Sequence, residues 1–296
     1  MPPTHEDPSI YAFLGGTPAE QLAWLTSRGL PPATLLALHN SCAQRCFFCV
    51  APGTVAVPAE EVTSRVRASS QLAARPPGVE RLLIGGNEPT LHPDFPALLA
   101  AARPAGFRTI ELMTNGYNLT THAGEYAAAG VSEVVVPLYA AESALHDEVC
   151  GAVVYAAVVA GLDAAAAAGI TVRVHTLLLR RNLAALAGLA EMVATRWSSR
   201  LGVALLRDKG SFDFAGEAPA FDAAAATIAA ISPVFRPFGI GTPRCLPTAE
   251  EDPPLVAELY FRSQARAKGA ACVGCVVSDG CGGPVLAYRE EVRPLR

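Results

Sequence analysis

The stretch "TLLALHNSCAQRCFFCV", residues 34 to 50, places three cysteines in a loop directly behind a short apolar run. Thr34 to Leu38 reads as a buried strand, and Cys42, Cys46 and Cys49 follow it at spacings of four and three. Three thiols so close in sequence suit a zinc site, a redox thiol set or an iron–sulfur cluster. Structural zinc takes four protein ligands, and His39, three residues before Cys42, would complete a Cys3His set. His39 falls at the end of the strand, however, where its side chain need not face the loop. A cubane held by three thiolates leaves one iron open to an outside ligand, which gives a reason for only three cysteines.

Outward from this loop, β-branched or leucine-rich runs alternate with amphipathic or alanine-rich segments, the pattern of a parallel sheet with crossover helices. Strands are expected at 33–39, 81–86, 108–114, 132–139, 171–179 and 202–207. Helices are expected near 58–74, 93–104, 121–129, 153–168, 183–197 and 221–231. Six βα units result, in the α/β class. Beyond residue 232, prolines at 233, 237, 243, 247, 253 and 254 break regular structure. Three parts are therefore expected: a 1–32 extension with one helix near Pro18 to Arg28, a 33–231 core and a small 232–296 module rich in cysteine.

Apolar residues make up 51% of the 296, enough for a sizeable core, and a net charge of −4 offers no basic field for a phosphate backbone. No nucleic-acid partner is expected. The N-terminus has acids and prolines where a signal peptide would have a basic start and an apolar core, so the cytoplasm is the expected location. The apolar stretch from Val153 to Val174 is interrupted by Asp163 and Arg173 and reads as a helix and a strand, with no membrane span expected. Eight cysteines in a cytosolic chain point to metal ligands or catalytic thiols before disulfides.

The run Cys42-x3-Cys46-x2-Cys49 resembles the cluster motif of the radical S-adenosylmethionine (SAM) family, including the aromatic Phe48 before the third cysteine. The resemblance implies a partial (β/α)6, TIM-like barrel whose three cysteines, Cys42, Cys46 and Cys49, hold a [4Fe–4S] cluster with SAM on the open iron. A second stretch, "GGNEPTLHPDF", residues 85 to 95, resembles the family's Gly-Gly-Glu-Pro motif, which binds the SAM amino group. With Glu88 and Pro89 aligned, Asn87 takes the second glycine position. Gly85, Gly86, Asn87 and Glu88 are the implied contacts. "LMTNG", residues 112 to 116, is similar to the family's third-strand end and places Thr114 and Asn115 at the mouth. "VVVPLYAAESALHDEVCG", residues 134 to 151, resembles the fourth strand and the next helix, with Pro137 where the family often has a ribose-binding serine.

On the fifth strand Arg173 and His175 share one face. If that face is the lumen, the resemblance implies Arg173 on the SAM carboxylate and His175 on ligand or substrate; a surface-facing pair is the alternative. Arg207 and Asp208 at the sixth strand's end carry the same two readings.

Cys245, Cys272, Cys275 and Cys281 form a second set, complete for tetrahedral zinc or for a fully ligated cubane. The Cys-x2-Cys-x5-Cys run resembles the auxiliary-cluster modules of the SPASM/twitch type, in the shorter form with a single second [4Fe–4S] cluster. Cys150 reads as an ordinary buried helix cysteine. The resemblance implies reductive SAM cleavage to a 5′-deoxyadenosyl radical, hydrogen abstraction from substrate, and a flavodoxin- or ferredoxin-like reductant. Oxidative modification or cross-linking of a ribosomal peptide is the expected chemistry, with a separate leader-binding protein as a partner because no leader-binding module precedes the core. A dehydrogenase of small natural-product intermediates and a non-catalytic iron–sulfur carrier or sensor are the alternatives.

Overall fold

Each apolar run becomes a strand of one parallel sheet. A computed structural model describes residues 16–27, 29–49, 62–208, 211–240, 242–249, 254–255, 272–273, 275 and 288. The strands are β1 (Thr34–Leu38), β2 (Arg81–Gly86), β3 (Thr109–Met113), β4 (Val131–Pro137), β5 (Thr171–Leu178), β6 (Leu201–Leu205) and β7 (Phe238–Gly239), hydrogen-bonded in chain order. Every neighbouring pair is parallel. Parallel strands covered on both faces carry nearly continuous apolar runs, and β6 is buried along its whole length.

Helices α1 (Pro18–Thr26), α2 (Arg65–Ala73), α3 (Phe95–Ala102), α4 (Leu119–Ala129), α5 (Ser143–Cys150), α6 (Tyr155–Ala167), α7 (Leu186–Trp197), α8 (Phe214–Glu217) and α9 (Phe221–Phe235) fill the connections. The core runs from Leu35 and Leu82 through Ile110, Val134 and Val174 to Val203, all fully buried. β1 starts the row, and among the described residues no strand pairs with its outer edge. Gln21 of α1 covers it: the buried amide accepts from Leu35 N at 2.9 Å and donates to Leu35 O at 3.0 Å. A Thr17–Glu20 capping box fixes the start of that helix.

The six expected strands agree with the structure to within about two residues. A seventh, β7, was not foreseen, since two residues behind Pro237 give no periodic signal. The helix expected near 221–231 is α9, which runs four residues further, to Phe235, with Pro233 inside it. The expected helix near 58–74 begins at Arg65, behind a Ser64 cap; residues 50–61 lie outside the description.

Leu38 pairs with Gly86, so the cysteine loop and the glycine loop leave the sheet side by side, at the strands' C-terminal ends. Sites of such barrels are built there.

Candidate cluster and cofactor site

Gly86 ends β2 with φ +132°, and a Cβ added there would lie 2.0 Å from the Leu38 carbonyl oxygen. Only glycine allows two backbones to approach so closely with that geometry. The approach is fixed by Asn87 N donating to Leu38 O at 3.3 Å, and by Asn40 Nδ2 donating to Glu88 O at 2.6 Å. Asn40 thereby ties the start of the cysteine loop to the glycine loop.

The far side of the cysteine loop rests on the end of α5. Arg45 N donates to Cys150 O at 2.8 Å, and Gly151, in the left-handed conformation, ends the helix against Arg45 O, which a Cβ would meet at 2.9 Å. Within the loop, Cys49 N donates to Cys46 O at 3.0 Å. Phe48 packs edge-on against Tyr139 at 5.4 Å, and Phe47 lies against Phe212 at 5.3 Å under the Arg181 guanidinium, also at 5.3 Å. Arg181 in turn pairs with Glu148 and Glu217. A clamp of aromatic and charged contacts thus sets the loop's outer wall.

Between these walls opens a cavity of about 200 Å³. Cys42, Cys46 and Cys49 line one side, with Gly86, Asn87, Thr114 and Asn115 across from them. Phe48, Tyr139 and His175 also border it, Met113, Pro137, Leu177, Leu205 and Leu206 supply apolar wall, and Gln44 and Arg207 complete the lining. Among the residues expected at the site, these geometric neighbours are brought together from five strand ends and the loop. Tyr139, Leu205 and Leu206 were missed, although all three sit where the fourth and sixth strands were expected to end.

Other residues weighed for the site fall outside the cavity. His39 is exposed and held through its backbone to Thr63, with N donating to Thr63 Oγ1 at 2.8 Å, and it takes no part in the lining with the three cysteines. Arg173 pairs with Glu133 at 3.2 Å and borders a different, more open hollow of about 670 Å³ with Gly169, Ser199 and Arg200, at the start of β5. Two residues of strand span roughly 6.6 Å, so His175 reaches the cavity and Arg173, on the same face, does not. Gly85 also stands outside the lining.

Glu88 was expected to reach the SAM amino group. It is 1% exposed, and its carboxylate accepts from Thr90 N (3.1 Å), Thr90 Oγ1 (2.6 Å), Thr114 Oγ1 (2.7 Å) and Asn115 N (2.6 Å). Burial pushes its pKa above the usual carboxylate value, against those hydrogen bonds. The carboxylate is a buried strut joining the second and third strand ends. Glu88→Ala is expected to strand the Thr90 and Asn115 amides and cost about 3 kcal/mol or more in a urea titration; unchanged stability would return Glu88 to a ligand-facing role.

The cavity's polarity is uneven. Burial raises the Cys42 thiol above its ordinary pKa, while Asn115 Nδ2 points a donor at Cys42 Sγ from 3.7 Å. The Cys150 side chain holds the Cys46 thiol below its usual range. Burial brings His175 down to about 4, so it is neutral at pH 7. Asn87 Nδ2 is buried in the lining with no hydrogen-bond partner among the described residues.

No three His, Cys, Asp or Glu side chains stand at metal-ligating distance among the described residues, the loop cysteines included. The donor set nevertheless fits a three-thiolate cluster with SAM: three cysteines wall one cavity, a glycine backbone faces them, and an unpaired amide donor waits there for an acceptor such as a carboxylate. In the second set, Cys245, Cys272 and Cys275 are half-buried, with Cys275 N donating to Cys272 O at 3.3 Å; Cys281 lies outside the described residues. Buried Tyr288 packs against Phe214 of α8 at 5.9 Å.

Residues 36–193 match the family model described as the Radical SAM superfamily. A PqqA peptide cyclase of Streptomyces rochei is 31% identical over 156 residues, 52% of this chain and 43% of that one. A GTP 3′,8-cyclase of Klebsiella pneumoniae subsp. pneumoniae is 33% identical over 156 residues, 49% of this chain and 46% of that one. The chain thus spans less than half the length of these relatives. In fold it is similar to Streptococcus suis SuiB bound to precursor peptide SuiA, with a TM-score of 0.51 and 19% identity over 62% of this chain and 42% of that one.

Proposed function

The chain belongs to the Radical SAM superfamily, and from that premise we propose that it cleaves SAM reductively and modifies a peptide substrate by hydrogen abstraction. One observation carries this reading: the three loop cysteines and the Gly86–Asn87 and Thr114–Asn115 strand ends line a single cavity with an apolar far wall.

When bound, the reduced cluster supplies the electron that splits SAM into methionine and a 5′-deoxyadenosyl radical, which takes a hydrogen atom from a substrate carbon. Cys42, Cys46 and Cys49 would hold the cluster. Asn87 Nδ2 and the Gly86 backbone would orient the methionine end of SAM, with Asn115 beside Cys42. Leu177, Leu205 and Leu206 would keep water and competing hydrogen donors away from the radical's path. His175, neutral and buried, would meet ligand or substrate without adding charge.

Anaerobic incubation with SAM and a one-electron reductant is expected to release 5′-deoxyadenosine and methionine in equal amounts. A chain that holds a cluster yet releases neither is an electron carrier or sensor.

A peptide substrate is supported by the likeness to a PqqA peptide cyclase and by the peptide-bound SuiB fold. A small-molecule substrate is the second reading, favoured by the likeness to GTP 3′,8-cyclase. Cys245, Cys272, Cys275 and Cys281 would carry a second [4Fe–4S] cluster that takes an electron from the substrate radical and makes the net reaction oxidative. On that basis residues 232–296 form an auxiliary module, flavodoxin or ferredoxin is the reductant, and a leader-binding protein assists. Cys275→Ala is expected to keep forming 5′-deoxyadenosine while losing finished product; a full product yield removes the electron-transfer role.

A further inference from the structure

The turn that follows β3 aims a carboxamide at the cysteine loop. Asn115, 7% exposed, lines the cavity, and its Nδ2 donates to Cys42 Sγ across 3.7 Å. The two ends of a carboxamide differ, and the turn settles which one faces the sulfur. Tyr117 N donates to the other end, Oδ1, at 3.0 Å, so the oxygen stands there and the NH2 group is directed at Cys42. The platform beneath the side chain is held by further bonds. Asn115 N donates to Glu88 Oε2 at 2.6 Å and Thr114 Oγ1 to Glu88 Oε1 at 2.7 Å, while Gly116 N donates to Thr114 Oγ1 at 3.2 Å. Thr114 N is in turn bonded to Val135 O of β4 at 3.1 Å. The buried Glu88 carboxylate thus fixes the strand end from which Asn115 reaches the loop.

We propose that the Asn115 amide donates a hydrogen bond to the Cys42 sulfur in the cluster-bound chain and thereby raises the reduction potential of the cluster. The inference rests on the cluster reading of Cys42, Cys46 and Cys49, and it makes Asn115 a positioning residue that acts through Cys42. Its physical ground is that reduction adds negative charge, part of which falls on the thiolate sulfurs, so a donor aimed at one of them stabilises the reduced form more than the oxidised one. Burial strengthens such a bond, because little water competes for either partner. The side chain has two separable tasks: Oδ1 closes the turn onto Tyr117, and Nδ2 faces the sulfur. Serine can close the same kind of turn with its hydroxyl oxygen, but it is too short to carry a donor to Cys42.

The test is redox potentiometry of the reconstituted full chain, following the SAM-responsive electron paramagnetic resonance signal and counting iron per chain. Asn115→Ser is expected to keep wild-type iron and to shift the midpoint to a more negative potential by about a tenfold change in the reduction equilibrium, or about 59 mV for one electron. Asn115→Asp keeps the shape and the turn but turns an acceptor towards the sulfur, and it is expected to shift the midpoint further in the same direction. An unchanged midpoint in Asn115→Ser with full iron would overturn the proposal, and a shift in Asn115→Asp alone would then report only the added charge. Loss of iron from Asn115→Ser would overturn it too, by making the side chain a structural support of the loop. A wild-type chain with no SAM-responsive signal would remove the cluster reading itself, a result visible before any substitution is made.

Discussion

Joint replacement of Cys42, Cys46 and Cys49 by alanine is expected to remove about four irons per chain after anaerobic reconstitution and to abolish SAM cleavage. The three thiols wall one cavity, and His39, Glu88 and Cys150 are not part of its lining. His39 is exposed and bonded to Thr63 through its backbone, and the Glu88 carboxylate is filled by four donors of the chain. Cys150 is held as a protonated thiol, its pKa pushed up by the Cys46 side chain and by burial. Cys42→Ala alone is expected to stop 5′-deoxyadenosine formation, because loss of one of three ligands exposes a second iron. Wild-type turnover by Cys42→Ala would defeat the reading. The iron left in the triple variant reports on Cys245, Cys272, Cys275 and Cys281. About four irons would support a second cubane, whereas zinc without iron would make that set a structural knuckle.

Gly86→Ala has the largest expected effect on the fold. The added Cβ would stand 2.0 Å from Leu38 O and 2.8 Å from Leu38 C, and neither is a side chain that can swing away. The backbone at φ +132° is itself strained for any residue with a Cβ. Relief requires β1 and β2 to part at the Leu38–Gly86 pair, from which both site loops spring. A loss of about 4 kcal/mol or more is expected, in the range reserved for severe backbone conflict, together with loss of iron. Gly188→Ala in α7 is the control: nothing stands within 4 Å of its Cβ, and it is expected to be neutral or stabilising by up to ~1 kcal/mol. Equal midpoints for the two variants in a urea titration would contradict this account of the loop junction.

The parts of the fold legible in the sequence were those with strong local signals. Parallel strands buried on both faces have long apolar runs, and the glycine and cysteine loops are set by residue type. β7 escaped because two residues after a proline carry no period. At the site, the alternation of β5 correctly put Arg173 and His175 on one face, but pattern alone does not say how far along the strand the cavity begins. Glu88 was named for a ligand contact from its motif; the bonds its carboxylate accepts from Thr90, Thr114 and Asn115 come partly from another strand end, and only the fold reveals them. Cys150 and His146, four residues apart on α5, show an i, i+4 pairing in the sequence. Their closeness to Cys46, more than a hundred positions earlier, depends on the docking of α5 against the loop.

Loop and cavity together make one central claim: Cys42, Cys46 and Cys49 hold a cluster whose open iron takes SAM. Electron paramagnetic resonance of the reduced chain before and after addition of SAM tests it most directly. The account predicts a cluster signal that changes when SAM is added, and no SAM-dependent change in the triple alanine variant. A signal indifferent to SAM, or a triple variant that responds as the wild type does, would contradict it.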